Sequence, residues 1–191
     1  MWFNKQSTCA TGPYDTIDLP VVSDKLDYEG ELGIIIGKRC RHVPAERAME
    51  VIMGYTVVND VSVRDWQRAA QTFQIGKSFD THGPFGPYLV TADEIDNPQN
   101  LGLRTLVNGE VRQDSNTKHM IYKIAEQIEH LTKAFTLEPG DLLVTGTPSG
   151  VGAAMTPPTF LKEGDVVRVE IEKVGAIENR VVRESGETVI R

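Results

Sequence analysis

Glu29 and Glu31 flank Gly30 in a run that continues through Leu32 into Gly33-Ile34-Ile35-Ile36. On a β-strand, residues two apart point to the same side with Cα atoms about 6.6 Å apart, so both carboxylates can converge on one cation. An exposed acidic strand face would carry the same pattern, and the pair alone does not choose between the two. Farther along, Val57-Val58 gives way to Asn59-Asp60, then Arg64 and Gln67. Asp60, Arg64 and Gln67 stand at i, i+4 and i+7, one face if the segment is helical. That face would offer a carboxylate to a cation, and a guanidinium fork and an amide to an anionic oxygen compound. It could equally be an Asp-to-Arg surface pair worth roughly a few tenths of a kcal/mol, with Asp65 competing for Arg64.

Two loops add candidates. Gly76 to Pro87 is a Gly/Pro-rich segment holding Lys77, Asp80 and His82. Such loops position functional groups well, yet a lysine near Phe79 also suits a solvated ammonium on a buried stem, and His82 reads as a loop hydrogen-bonder. Thr145 to Gly152 is Gly-rich and follows the strand-like Leu142-Leu143-Val144. It is neither a Walker loop nor a dinucleotide fingerprint. Its backbone N–H groups and the Thr147 hydroxyl could hold a carboxylate, or the segment could be a tight turn between strands.

The elements that must position these groups are mostly strands. Asn108-Gly109 between Leu103–Val107 and Glu110–Arg112 predicts a hairpin. Gly140-Asp141 and Gly164-Asp165 each lead into a β-branched or apolar run. Pro44 opens a short helix ending before Gly54, and the stripe Ile121, Ile124, Ile128, Leu131, Phe135 predicts a packing helix from about Lys118 to Phe135. With no βαβ rhythm, the fold class is α+β, strand-dominated, with antiparallel or mixed sheets.

Composition narrows the function. At 191 residues, with no internal linker, one domain over 1–191 is expected. The 27 Asp and Glu outnumber the 20 Lys and Arg, giving a net charge of −7, which argues against nucleic acid or an anionic membrane as partner. No apolar run approaches the roughly 20 residues of a membrane span. Cys9 and Cys40 lack zinc or disulfide spacing. The N-terminal residues carry neither an apolar signal core nor an Arg-rich transit pattern, so a cytoplasmic setting is expected.

The order of the motifs carries more than any one of them. Glu29-Gly30-Glu31-Leu32 is followed by Gly54-Tyr55 and Asn59-Asp60-x-Ser62-x-Arg64-Asp65-x-Gln67. Gly76-Lys77-Ser78-Phe79-Asp80, Val107-Asn108-Gly109-Glu110 and Thr145-Gly146-Thr147-Pro148-x-Gly150-Val151-Gly152 complete the series. From about Phe3 to Val182 the chain resembles the fumarylacetoacetate hydrolase family, most of all its acylpyruvate hydrolase and domain-containing-protein branch. The resemblance implies a mixed β-sandwich roll, a homodimer, and metal ligands Glu29, Glu31 and Asp60. It further implies that Arg64, Gln67 and Thr147 line the substrate site and that Lys77 is catalytic. Family members usually carry, ahead of the segment matching Phe3-Asn4-Lys5, a catalytic His and often a Glu on a mobile lid. This sequence begins after that point, so if the 191 residues are the entire polypeptide, binding with little turnover is the expectation; His82 is a candidate substitute base, though its Gly/Pro loop favours structural hydrogen bonding.

Three carboxylates with no soft ligand suit Mg2+ or Mn2+ before Ca2+, and not zinc. A 2-oxo acid chelates such an ion, which stabilises the enolate formed when a bond to C3 breaks. Arg64 and Thr147 would fix its carboxylate, Gln67 would orient an oxygen, and Lys77 would stabilise developing negative charge or a nucleophilic water. The expected reaction is hydrolysis of a C–C bond in a 1,3-dioxo acid, an acylpyruvate or fumarylpyruvate of aromatic catabolism, to pyruvate and a carboxylic acid. Oxaloacetate decarboxylation and keto-enol tautomerisation use the same enolate and remain open. So does a metal-binding protein of little activity.

Overall fold

In the computed structural model, which describes residues 1–190, two five-stranded sheets contribute to a common core. The strands in chain order are Ala10–Thr11 (β1), Ile17–Leu19 (β2), Leu26–Asp27 (β3), Gly30–Ile36 (β4), Ile52–Asn59 (β5) and Ser62–Val63 (β6). Gly83–Thr91 (β7), Gly102–Val107 (β8), Glu110–Asn116 (β9), Leu142–Val144 (β10), Val166–Ile171 (β11) and Gly175–Arg183 (β12) follow. The α-helices are Arg64–Ala69 (α1) and Ile124–Ala134 (α2). One sheet runs β1-β7-β5-β4-β10 and the other β2-β12-β11-β8-β9, while β3 and β6 form a separate ladder. Pairing is antiparallel except β1 with β7 and β12 with β2, so both sheets are mixed, as the strand-dominated reading expects.

Strand β4 fixes the orientation of the first motif. Leu32, Ile34 and Ile36 alternate into the core against Val169, Ile171 and Ile177 of the other sheet. Burying each stabilises by about 1.5–3 kcal/mol relative to exposure. A one-residue slip would put these side chains outside and Glu31 inside, so the apolar face dictates where the glutamate points.

The expected hairpin joins β8 and β9, with Asn108 and Gly109 at φ 53° and 80°, the left-handed pair that its two-residue turn requires. Gly140-Asp141 and Gly164-Asp165 lead into β10 and β11. The Pro44 segment forms a 3₁₀ helix, Ala45–Val51, and β5 starts before Gly54. The long helix is shorter than expected. It starts at Ile124, where Glu126 Oε2 accepts the Lys123 N–H at 2.6 Å, and Thr117–His119 is a 3₁₀ turn instead. Ile128 and Leu131 are buried, but Ile121 is 90% exposed and Phe135 50%, so the stripe overran the helix at both ends. Both cysteines are free and buried.

His82 is fully buried, stacks on Phe79 and has its Nε2 2.7 Å from the Asp18 carbonyl oxygen. A carbonyl only accepts, so Nε2 carries the proton of the neutral ring. Burial pushes its pKa down to about 4 from 6.5. The unfolded chain then takes up the proton first, and stability is complete above about pH 6.5 and falls toward pH 4. The shift corresponds to a loss of about 3 kcal/mol across that window. His82→Gln, which can still donate to Asp18, is expected to flatten this part of the pH dependence in urea denaturation. Equal slopes in the two proteins would mean that another group is titrating.

Candidate metal and substrate site

Glu29 precedes β4 and Glu31 lies on it, while Asp60 lies just past the end of β5. The β4–β5 register pairs Gly30 with Asn59, and one step further brings Asp60 opposite Glu29, where the Asp60 N–H donates to the Glu29 carbonyl at 2.8 Å. One oxygen from each of the three carboxylates lies within 4.8 Å of the others, and all three residues are buried. Asp60 therefore arrives from the neighbouring strand and not from a helical face. Helix α1 begins only at Arg64, so the i, i+4 pair of Asp60 with Arg64 does not form. Between the glutamates only glycine fits, because a Cβ on Gly30 would stand 2.2 Å from Thr105 Oγ1 and 3.0 Å from Val169 Cγ1 of the other sheet.

Three cations converge on this cluster. Lys77 Nζ donates to Glu29 Oε2 and Asp60 Oδ2, both at 2.7 Å, and the residue is 2% exposed, so the solvated-lysine reading does not hold. Lys5 Nζ donates to Asp60 Oδ1 at 2.7 Å. Arg64 donates through Nε to Asp27 Oδ2 at 2.8 Å, and through Nη1 to Glu29 Oε1 at 2.5 Å and Gln67 Oε1 at 3.1 Å. Its Nη2 is buried without a partner. Asp65, the anticipated competitor, accepts from the Ser23 hydroxyl instead. Asp27 also accepts the Gly152 and Ala153 N–H groups at 2.8 Å, which ties the Gly-rich loop to the Arg64 partner. The Thr147 hydroxyl donates to the Gly30 carbonyl at 3.0 Å, and the Gly146 N–H donates to Glu31.

The charges do not cancel. Asp27, Glu29, Glu31 and Asp60 face Lys5, Arg64 and Lys77, four carboxylates against three cations. Burial works against the Lys77 charge, but Asp60 and Glu29 outweigh it and raise the ammonium pKa, so it stays protonated at neutral pH. Burial alone would raise the Asp60 carboxyl, yet Lys5 and Lys77 hold it below its ordinary value. Glu31 has only the Gly146 N–H. Burial, with Asp60 and Glu29 alongside, pushes its carboxyl well above the usual range. An all-oxygen cluster containing a buried carboxylate with no cation of its own fits a hard divalent ion.

The sequence-named residues Glu29, Glu31, Asp60, Arg64, Gln67 and Lys77 meet here, with Thr147 on the adjoining loop. Lys5 and Asp27 were missed as site residues. Asp27 stands two residues before Glu29, a spacing that hinted at it, whereas only tertiary structure brings Lys5 to Asp60 across 55 positions. His82 bonds to Asp18 and stands in the core, not among the carboxylates.

The model of the fumarylacetoacetate (FAA) hydrolase C-terminal region matches residues 1–182. The chain belongs to the fumarylacetoacetate hydrolase family. Among relatives of this family, the mitochondrial oxaloacetate tautomerase of Xenopus laevis is 49% identical over 182 residues, 94% of this chain and 57% of that protein. A mitochondrial oxaloacetate tautomerase of Homo sapiens is 46% identical over 182 residues, 94% of this chain and 58% of that protein. The chain thus spans rather more than half the length of these relatives. Of the solved structures, the fumarylacetoacetate hydrolase of Exiguobacterium antarcticum superposes with TM-score 0.91 at 42% identity, over 95% of this chain and 66% of that one. The 5-carboxymethyl-2-hydroxymuconate delta-isomerase of Mycobacterium smegmatis gives 0.87 at 42% identity, over 95% and 68%. The strand-rich roll expected from the family resemblance is the fold observed. The cytoplasmic setting is overturned by the mitochondrial names of relatives at 46–49% identity, so the N-terminal residues were no guide to location.

Proposed function

We propose that the chain binds a 2-oxo dicarboxylic acid of the oxaloacetate kind together with Mg2+ or Mn2+ and interconverts its keto and enol forms. The observation that carries this reading is the buried Glu29, Glu31 and Asp60 cluster ringed by Lys5, Lys77 and Arg64, which suits a cation with an anionic oxygen ligand. Names of relatives as oxaloacetate tautomerases, and of a solved structure as an isomerase, favour tautomerisation over the C–C hydrolysis expected from the sequence. Glu29, Glu31 and Asp60 would hold the divalent ion, which would supply Lewis-acid stabilisation of an enolate. Arg64 keeps two Nη2 protons free for a substrate carboxylate. Gln67 has its carbonyl oxygen on Arg64, which leaves its amide N–H groups to orient a substrate oxygen. Lys77 stays an ammonium and offsets the negative charge that develops on the substrate. Thr147 acts by seating the loop that carries Gly146, and the homodimer remains part of this proposal.

Hydrolysis of a 1,3-dioxo acid is the second reading, favoured by the likeness to the Exiguobacterium antarcticum hydrolase. The purified chain with Mn2+ is expected to speed loss of the oxaloacetate enol beyond Mn2+ alone, without releasing pyruvate. Faster pyruvate release from an acylpyruvate would put hydrolysis first. Pyruvate from oxaloacetate would instead mean decarboxylation.

A further inference from the structure

Gln113 is the only fully buried residue on β9, an edge strand of the sheet opposite the carboxylates. The β8–β9 register explains how it gets inside. Thr105 pairs with Gln113 but Leu106 pairs with Val111, so Arg112 is an extra residue, a bulge of the kind that re-aims a neighbouring side chain. The bulge also seats the Gly-rich loop, since a Cβ on Gly150 would stand 2.0 Å from the Arg112 carbonyl oxygen.

The re-aimed carboxamide makes three hydrogen bonds. Its Oε1 accepts the Gly30 N–H at 3.0 Å, and its Nε2 donates to Thr147 Oγ1 at 2.8 Å and to the Pro148 carbonyl at 2.9 Å. Only one orientation of the amide satisfies an N–H on one side and a carbonyl on the other. Thr147 in turn donates to the Gly30 carbonyl. Both backbone polar groups of Gly30 are therefore held by the Gln113–Thr147 pair, and Gly30 is the residue that separates Glu29 from Glu31. The same pair holds the loop whose Gly146 N–H caps Glu31.

From this geometry we infer that Gln113 is a positioning residue for the cation site. It touches no carboxylate of the cluster, yet it sets the spacing of Glu29 and Glu31 and docks the loop that caps Glu31. The inference rests on the reading of Glu29, Glu31 and Asp60 as a divalent-cation site.

The test is Mn2+ affinity, followed by electron paramagnetic resonance at 25 °C, for the wild-type chain and for Gln113→Met, which keeps the side-chain length and removes all three bonds. The affinity is expected to fall about 10-fold or more, as for loss of an outer partner of metal ligands. Oxaloacetate tautomerisation should return toward the wild-type level at saturating Mn2+, which separates lost metal binding from lost chemistry. A residue that only supports the fold would lower the unfolding temperature and leave the affinity of the folded protein unchanged, and that result would overturn the inference. If Gln113→Met does not fold, the wild-type chain serves. Its Gln113 side-chain amide and Gly30 N–H resonances are expected to move when Mg2+ is added, and unmoved resonances with Mg2+ bound would equally overturn it. Wild-type protein that binds neither ion sinks the cation reading as well, whereas normal binding that is insensitive to Gln113 sinks this inference alone.

Discussion

Lys77→Met is expected to cost the metal-free chain about 3–5 kcal/mol of stability, the penalty for leaving buried carboxylates without their counter-ion. The side chain is 2% exposed and its ammonium lies 2.7 Å from both Glu29 and Asp60, so no water can replace it without rearrangement. Methionine keeps the stem and deletes the charge. Added Mn2+ should restore most of the loss, because a divalent ion neutralises the same two carboxylates, and the affinity should rise with the competing ammonium gone. Turnover should nevertheless fall on the order of 100-fold, as for loss of one electrostatic stabiliser of the reacting oxygen. Urea denaturation with and without Mn2+, together with steady-state kinetics, reads all of these. An unchanged denaturation midpoint with full activity would mean that Lys77 has no part in the site.

Glu31→Gln should act in opposite directions on metal and on stability. The amide keeps the shape and can still accept the Gly146 N–H, but it removes one of the three carboxylates proposed as ligands, so Mn2+ or Mg2+ affinity should drop about 10-fold or more by calorimetry. Stability without metal should rise at neutral pH. The Glu31 carboxyl is pushed above its usual range of about 4.5 by burial, Asp60 and Glu29, so the folded state favours the protonated form. The wild-type chain then bears an ionisation cost that grows as pH rises above 4.5 and disappears as pH returns to it. The variant lacks that cost. Its advantage should be larger at pH 8 than at pH 5, and metal binding to the wild-type chain should release protons. Unchanged metal affinity would remove Glu31 from the cluster, and a stability gain independent of pH would show that its ionisation is not the cause.

Glu29 and Glu31 were legible because strand alternation is a local rule, and the apolar face Leu32, Ile34, Ile36 sets its phase. Asp60 was legible as a candidate for a cation, but its partner was not, since helical spacing coupled it to Arg64 when the true neighbour is Glu29 across a ladder. Periodicity read the centre of α2 and missed its ends, because Ile121 and Phe135 continue the spacing beyond the backbone signal that starts the helix at Lys123. Lys77 showed its type but not its burial, which depends on partners 48 and 17 residues away. Lys5 and Gln113 had no local signature. The Lys5 contact lies 55 positions away and those of Gln113 lie 34, 35 and 83 away, and the bulge that turns Gln113 inward is defined by strand pairing.

The matching of four carboxylates with three cations has a consequence beyond the cluster. Every basic group at its floor is already committed at short range, so little positive potential projects from it into solvent, and the chain around it carries a net charge of −7. Long-range steering accelerates encounter when a cleft presents the sign opposite to its ligand, an advantage that the metal-free cluster does not offer a dianion. On the proposed reading, an oxo acid would reach the metal-free chain by unguided diffusion, or arrive already paired with its metal as a complex of reduced charge. Recognition begins only inside the roughly 8 Å over which charges are felt at physiological salt.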